Sequence, residues 1–292
     1  MSSKDGSFSG GVGAADSSAP TLRGFDTPAL PEWVLFHVPH DSTFIPPSER
    51  SRLLLDDAEL KAELLRMTDH WTFDLFAQGI PEGRVVRSPV SRLVVDVERF
   101  EEDAVETMAS RGMGAVYKRT SDGKELRRSL VSWQREELMN AWYIPHHHRL
   151  TEAVERALDN HGHALLIDAH SFRSQPLPYE LDQRLDRPDI CIGSDEFHTA
   201  PQLEEAFLHA FSSTGWTVRL NTPFAGVLVP MRHYGEERRL AAVMIEANRA
   251  LYVDESTGER LPCFTSVAKT IRQSVVAAIS LLNLGDEGGF HD

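Results

Sequence analysis

The sequence predicts an α/β fold, a single domain whose mostly parallel or mixed central sheet is flanked by helices, and two observations lead to this class. Short apolar runs rich in β-branched residues alternate with longer segments of helical period. No internal repeat and no second Gly/Pro-rich linker divides the 292 residues. The predicted strands are 33–39, 84–90, 92–97, 163–170, 189–194, 216–221 and 241–246.

The intervals between these strands have helical composition. In 129–158 a proline, Pro145, predicts a kink or a restart of the helix. In 199–213 the apolar residues form one stripe, and Thr199 is the predicted N-cap. The last helix, 266–284, carries apolar residues on one face and is predicted to pack against the rest of the domain.

The two ends of the chain have the composition of flexible segments. Ten of the first twenty residues are Gly or Ser, and the stretch GDEGGFHD follows Leu284. We therefore expect a disordered tail over 1–20, one compact domain over 21–284 and a flexible tail over 285–292.

Charge and composition exclude two classes of partner. Thirty basic and forty-four acidic side chains give a formal charge of −14, which would repel a phosphate backbone, so no nucleic-acid partner is expected. No apolar run approaches the length of about 20 residues that a membrane span needs, so no membrane partner is expected. Cys191 and Cys263 form neither a disulfide scaffold nor a CxxC pair, which favours a reducing compartment and a cytoplasmic protein.

Familiar nucleophile and nucleotide motifs are missing from the chain. The sequence has no GxSxG elbow, no GxxxxGK[ST] loop, no HExxH helix and no GxGxxG turn after a strand. A serine nucleophile, a nucleoside triphosphate and a dinucleotide are therefore disfavoured.

Three polar residues stand at the ends of predicted strands. His40 follows WVLFHVP, His170 follows ALLIDA and Glu246 follows AAVMI. In open α/β sheets ligands bind outside the carboxyl ends of the strands, so we expect these side chains to lie close together. The histidines fit a catalytic zinc site, and Glu246 is a candidate general base toward the attacking water. The alternative for Glu246 is an ion pair with Arg249 or Arg92.

The third metal ligand is expected to be a carboxylate, and three candidates are open. Asp69 and Asp74 lie in TDHWTFDLF, five residues apart and so not on one helical face, and Asp69 is favoured. Asp168, two residues before His170, would orient that histidine or bind the metal itself. Histidines 146–148 cannot converge on one ion, because consecutive helical residues point about 100° apart. We expect them on a helix surface, with one facing inward.

Four arginines are candidates for contacts with an anionic substrate. Arg92 and Arg99 lie in and just after the predicted strand 92–97. An arginine fork matches a carboxylate, and a second arginine near a scissile carbonyl can stabilise the developing oxyanion. Arg173 and Arg232 stand close to loops at strand ends. A surface salt bridge is the alternative for each of them.

A series of motifs runs in order through most of the chain. It consists of VPHDSTFIPP, TDHWTFDLF, VSRLVVDVER, GMGAVY, IDAHSFRS, NTPFAG, HYG and IEANRALYVDE. From Trp33 to Glu255 the series resembles the N-formylglutamate amidohydrolase (deformylase) family, whose members are similar to zinc carboxypeptidases and aspartoacylases. The resemblance implies a phosphorylase/hydrolase-like, zinc carboxypeptidase-like α/β fold and one zinc or other divalent ion per chain.

The resemblance also implies roles for residues at matching positions. It implies metal ligands at His40, Asp69 and His170 and a general base at Glu246. It also implies that Arg92 polarises the carbonyl and that Arg99 is the clamp for a substrate carboxylate. Attack of a zinc-bound water would then cleave the amide of a small anionic N-acyl amino acid, N-formylglutamate or a similar compound, as a step of histidine degradation.

Three positions depart from the family pattern. Asp41 stands in PHDS where members have PHSG, Glu98 stands in DVER where they often have DLNR, and Phe73 replaces the second acid of TDHxTD. These positions lie where an amino-acid carboxylate would be bound, so a related N-acyl amino acid is an alternative substrate. The alternative functions are a metallopeptidase or amidase acting on a small peptide, and an inactive binding protein of the same fold. The oligomeric state is left open.

Overall fold

The computed structural model of the protein describes residues 30–284, and the two predicted tails, 1–20 and 285–292, lie outside these residues. The strands are β1 (Val34–Val38), β2 (Val85–Arg87), β3 (Ala164–Phe172), β4 (Ile190–Gly193), β5 (Val218–Leu220) and β6 (Leu240–Asn248). The α-helices are α1 (Pro47–Arg50), α2 (Asp57–Met67), α3 (Ser132–Leu138), α4 (Ile144–His161), α5 (Pro201–Ser212) and α6 (Phe264–Leu284). Shorter helical turns cover Phe73–Ala77, Glu82–Arg84, Thr107–Arg111, Met139–Tyr143 and Arg249–Leu251.

The strands form one six-stranded sheet in the order β2-β1-β3-β6-β4-β5. The first four strands in this order run parallel, whereas β4 is antiparallel to β6 and parallel to β5. The central strands β3 and β6 have nine residues each and are buried along almost their whole length, as is typical of strands covered on both faces. The predicted α/β class with a mixed sheet flanked by helices is confirmed.

Different helices cover the two faces of the sheet. On β1, Val34 and Phe36 belong to the core that includes α5 and α6, whereas Leu35 belongs to the core that includes α4. Successive side chains of a strand point to opposite faces. On β3 and β6 the residues with even numbers, such as Leu166 and Ala242, therefore face the α4 side. This alternation decides which polar residues can meet at the ends of these two strands.

The segment 92–97, predicted as a strand, does not pair with the sheet. It forms turns in which the backbone N–H of Val94 donates to the carbonyl of Ser91 and that of Asp96 to Ala115. The Arg127 guanidinium donates to the carbonyls of Leu93 and Val94. A short apolar run can be buried in such a turn as fully as in a strand, because its backbone N–H and C=O groups form hydrogen bonds outside the sheet.

The helix predictions are partly confirmed. The restart at Pro145 is confirmed, because α3 passes through the π-helical turn Met139–Tyr143 before α4 begins, with Pro145 in its first turn. The predicted cap of α5 is wrong: the N-cap is Ala200, and the Thr199 hydroxyl donates instead to the carbonyl of Ala242 at 2.6 Å. None of the helices between residues 30 and 284 combines the length and apolar character needed to cross a membrane.

Candidate active site

The ends of β3 and β6 bring His170 and Glu246 side by side. The two residues are register partners on these parallel strands, and both have even numbers, so they share the face toward α4. Both lie inside their strands rather than after them, because β3 and β6 extend to residues 172 and 248. His40 stands two residues beyond the end of β1. The expected convergence of these side chains at one edge of the sheet is found.

His40, Asp69 and His170 form a buried group whose ligand atoms lie within 4.8 Å of one another. Nδ1 of His170 is 3.2 Å from Oδ2 of Asp69, and Nδ1 of His40 is 3.7 Å from the same oxygen. The other ring nitrogens are held by carboxylates: Nε2 of His40 is 2.8 Å from Asp96, and Nε2 of His170 is 2.9 Å from Asp168.

This arrangement fits a divalent cation. A carboxylate that accepts the Nε2–H of a histidine leaves the Nδ1 lone pair free, which is the usual way in which metal-binding histidines are oriented. Nδ1 of His40 is buried and has no hydrogen-bond partner within residues 30–284. Zinc bonds of about 2.0–2.2 Å to N and O ligands imply ligand separations close to the distances found around Asp69. The donor set of two imidazoles and one carboxylate also suits zinc.

Asp69 is held in place and kept charged. Arg249 donates from Nη2 to Oδ1 of Asp69 at 2.9 Å, and the backbone N–H of Ser171 lies 3.3 Å from Oδ2. Burial favours the neutral acid, but the interaction with His170 and the positive charge of Arg249 keep the pKa of Asp69 well below its ordinary value. The other carboxylates considered as third ligand differ from it. Asp74 is paired with Arg260 at 2.8 Å. Asp168 contacts Nε2 of His170, whereas Asp69 lies next to Nδ1 of the same ring.

Glu246 is a buried carboxyl group that forms no ion pair with any residue between 30 and 284. Its Oε2 has no hydrogen-bond partner in the described part of the chain. The alternative pairings with arginine are not found, because Arg249 donates to Asp69 and Ser171 while Arg92 donates to Asp96. Burial raises the pKa of Glu246 to about 8. The group is therefore poised to exchange a proton near neutral pH, and a positive charge placed beside it would favour the carboxylate.

Asp96 connects the group of His40, Asp69 and His170 with the arginines. Its carboxylate accepts from Nε2 of His40, from Nη2 of Arg92 at 2.8 Å and from the Tyr117 hydroxyl. The backbone N–H of Glu98 donates to the same carboxylate at 2.9 Å. Burial alone would raise the pKa of Asp96, but the positive charge of Arg92 holds it well below the ordinary value.

The four predicted arginines differ in how free their guanidinium groups are. Nε of Arg99 is buried without a hydrogen-bond partner among residues 30–284, and the closest carboxylate oxygen, on Asp96, is 3.8 Å away. Within residues 30–284, the ion pair of the Arg173 guanidinium is a 3.9 Å contact with Glu255. Arg232 is 73% exposed and forms a 2.9 Å ion pair with Glu155. Arg99 and Arg173 are therefore more available to an anion than Arg232.

A second buried cluster next to the first did not emerge from the sequence. Nδ1 of His37 lies 2.9 Å from Asp168 and 3.1 Å from Glu98, and its Nε2 lies 2.8 Å from Nε2 of His146. Burial opposes the charge on His37, but the hydrogen bonds to Asp168 and Glu98 raise its pKa to about 9. Strand register is the sequence signal that could have revealed this cluster, because His37 and Asp168 are register partners on β1 and β3.

The triple histidine on α4 is only partly a surface feature. His146 is fully buried against His37, which agrees with one histidine facing inward, and His148 is exposed and pairs with Glu152. His147, however, lines the same cavity as His170. The side chains of residues 146 and 147 point about 100° apart around the helix axis, so both can lie on the half of α4 that faces the sheet.

One cavity of about 1020 Å³ adjoins these groups. Eight of the residues that the sequence nominated for a role line it, namely His40, Asp69, Arg92, Arg99, His170, Arg173, Arg232 and Glu246, whereas the alternative ligand Asp74 does not. Its outer wall includes the loop 223–229, which crosses β4 so closely that a Cβ at Gly193 would lie 2.4 Å from the carbonyl oxygen of Gly226. Only glycine therefore fits at position 193.

Comparisons with known proteins identify relatives over most of the chain. A family model described as N-formylglutamate amidohydrolase matches residues 33–253. The N-formylglutamate deformylase of Pseudomonas aeruginosa is 30% identical over 233 residues, which cover 76% of this chain and 82% of that protein. The N-formylglutamate deformylase of Pseudomonas putida is 31% identical over 181 residues, 59% of this chain and 65% of that protein.

Solved structures show the same fold. The crystal structure of an N-formylglutamate amidohydrolase from Ralstonia eutropha has a TM-score of 0.74 at 21% identity, covering 86% of this chain and 94% of that one. A crystal structure of an Agrobacterium tumefaciens gene product has a TM-score of 0.65 at 22% identity, covering 86% and 92% of the two chains. At these identities the likeness establishes the fold alone.

Proposed function

Because the chain belongs to the N-formylglutamate amidohydrolase family, we propose that it is a hydrolase that cleaves the amide of N-formylglutamate or a similar N-acyl amino acid. The observation that carries this proposal is the buried group of His40, Asp69 and His170 beside Glu246, whose Oε2 has no hydrogen-bond partner among the described residues. We further propose one zinc or other divalent ion per chain, a cytoplasmic location and a step in histidine degradation.

The proposed metal ligands are His40, Asp69 and His170. When bound, a divalent cation would act there as a Lewis acid toward the amide carbonyl and the attacking water. Asp96 and Asp168 orient the two imidazoles by accepting their Nε2 protons, which directs each Nδ1 toward the proposed metal position. The cation would also supply the positive charge that lowers the raised pKa of Glu246.

Glu246 is proposed as the general base and then the general acid. Its carboxylate takes a proton from water as the oxygen attacks the acyl carbon, and it returns that proton to the nitrogen as the C–N bond breaks. The absence of an ion pair to Glu246 within residues 30–284 supports this role, because an arginine held against the carboxylate would make it a weaker base.

The arginines are proposed to bind the negative charges of substrate and transition state. Arg92, anchored by Asp96 and Tyr117, is proposed to polarise the carbonyl. Arg99 is proposed as the clamp for a substrate carboxylate, because its Nε is buried and unpartnered among the described residues. Arg173 is proposed to assist from the inner wall, and Arg232 from the mouth of the cavity.

A substrate panel with and without a chelator tests the proposed function. The metal-loaded protein should hydrolyse N-formylglutamate or a related N-acyl amino acid, and removal of the metal should abolish this activity. Small peptides and peptide amides serve as the competing substrates. Hydrolysis of peptides alone would replace the proposal by a peptidase, and full activity of metal-free protein would reject the metal-dependent mechanism.

Replacing Arg99 with alanine should weaken kcat/KM for an acidic N-acyl amino acid by about 2–5 kcal/mol, because a buried charged partner of the carboxylate is lost. A substrate whose carboxylate is amidated should lose little. Steady-state kinetics with both substrates measure the difference. An equal loss on both would show that Arg99 supports the structure through Asp96 instead.

A further inference from the structure

The cavity is larger than the substrate named for the relatives requires. Its volume is about 1020 Å³. Pockets of about 300–1,000 Å³ hold drug-sized ligands, whereas N-formylglutamate has only about a dozen non-hydrogen atoms. Space therefore remains for a larger substituent once the reacting amide lies beside His170 and Glu246.

The mouth of the cavity is lined by exposed apolar side chains. Within residues 30–284, six of the thirteen large apolar side chains that are exposed line this one cavity. We call them the apolar rim, and they are Phe100, Val105, Ile144, Leu181, Met231 and Tyr234. They are between 45% and 67% exposed. Such a concentration of apolar surface around one opening is typical of a binding site.

Charge determines which end of a substrate faces the apolar rim. Arg92, Arg99 and Arg173 lie on the inner wall, where their side chains are largely buried. The mouth instead contains the exposed acids Glu101 and Glu102. Arg232 also lies at the mouth, but it is already paired with Glu155. A substrate carboxylate is therefore attracted more strongly to the inner wall than to the mouth, so an uncharged group of the substrate occupies the mouth.

We infer that the apolar rim binds the acyl chain of the substrate, so that the enzyme acts on N-acyl amino acids with an apolar acyl chain longer than formyl. This inference rests on the proposed function and specifies its substrate class. In the reaction the oxygen of water bonds to the acyl carbon and the amide C–N bond breaks. The products are the carboxylate of the acyl chain and the free amino acid, whose nitrogen receives a proton.

A series of N-acylglutamates tests the inference: formyl, acetyl, hexanoyl and octanoyl, each with zinc-loaded protein. Each methylene that becomes buried should raise kcat/KM by about three- to fourfold, so the octanoyl compound should exceed the acetyl one by about 100-fold or more. Cleavage of N-formylglutamate with flat or falling values along the series would overturn the inference and leave the proposed function standing. If the zinc-loaded protein hydrolyses no member of the series, the proposed function fails, and the inference fails with it.

Two leucines provide a matched pair of variants. Leu181 and Leu185 are 67% and 69% exposed, but only Leu181 lines the cavity. L181S should lower the ratio of octanoyl to formyl kcat/KM by about tenfold, because an apolar contact with the chain is lost. L185S should leave the ratio unchanged. An unchanged ratio in L181S, or an equal fall in both variants, would show that the apolar rim does not bind the chain.

Discussion

Replacing His170 with alanine is expected to remove the bound divalent cation and, with it, amide hydrolysis. Substitutions of groups that only orient metal ligands typically lower metal affinity by about 10- to 100-fold. Loss of a ligand atom from a set of three should exceed this range, because Asp69 and His40 alone form an incomplete site. Metal content after gel filtration and hydrolysis of N-formylglutamate measure the two effects.

Two other histidines control for this result. His148 is exposed on α4 and pairs with Glu152, and His146 is buried against His37, so alanine at either position should leave the metal content unchanged. Circular dichroism of each variant separates loss of metal from loss of fold. The site is misassigned if the His170 variant keeps a full equivalent of metal, or if the His148 variant loses as much metal as the His170 variant does.

Replacing Glu246 with glutamine should lower kcat by about 10²- to 10⁴-fold while metal binding and KM change little. Glutamine keeps the size and hydrogen-bonding capacity of the side chain but cannot accept the proton. Because burial favours a neutral group at this position, the substitution should also be tolerated by the fold. Steady-state kinetics and metal stoichiometry on the same preparation measure the two effects separately.

Variants of Asp69 and Asp74, which lie in one short segment, test whether the general base and the metal ligand are assigned to the correct residues. Asp69→Asn should lower metal affinity first and activity as a consequence, because Asp69 lies next to both histidines. Asp74→Asn should change neither, because Asp74 pairs with Arg260 instead. If the Glu246 variant loses its metal and the Asp69 variant keeps it, the two roles must be exchanged.

The sheet and the position of its polar residues were predictable because both follow from simple periodicities. Alternating or continuous apolar runs marked β1, β3 and β6, and the carboxyl-end rule then selected His40, His170 and Glu246. Segment 92–97 was misjudged for the same reason, since its apolar residues are as buried as those of a strand. A strand of the sheet differs from segment 92–97 in the hydrogen-bond partner of each backbone N–H, and that partner depends on the tertiary structure.

The details of the site depend on contacts between distant segments. That Nε of Arg99 has no hydrogen-bond partner among residues 30–284 while Arg92 binds Asp96 depends on side-chain placement within a turn, which residue type and spacing do not encode. The pairing of His37 with Asp168 also joins two separate strands, although strand register makes it accessible in principle. Cavity size cannot be read from a sequence at all, since it depends on how loops pack.

Two of the proposed active-site residues lie on the sheet, whereas the apolar rim lies mainly on loops, and this separation has a consequence for protein engineering. His170 and Glu246 stand on the two longest strands, whereas the apolar rim is borne mainly by loops and helix ends around the opening. Loops tolerate substitution and insertion better than buried strands do. Libraries restricted to the loops around Val105, Leu181 and Met231 should therefore yield variants with altered chain-length preference on an unchanged catalytic platform.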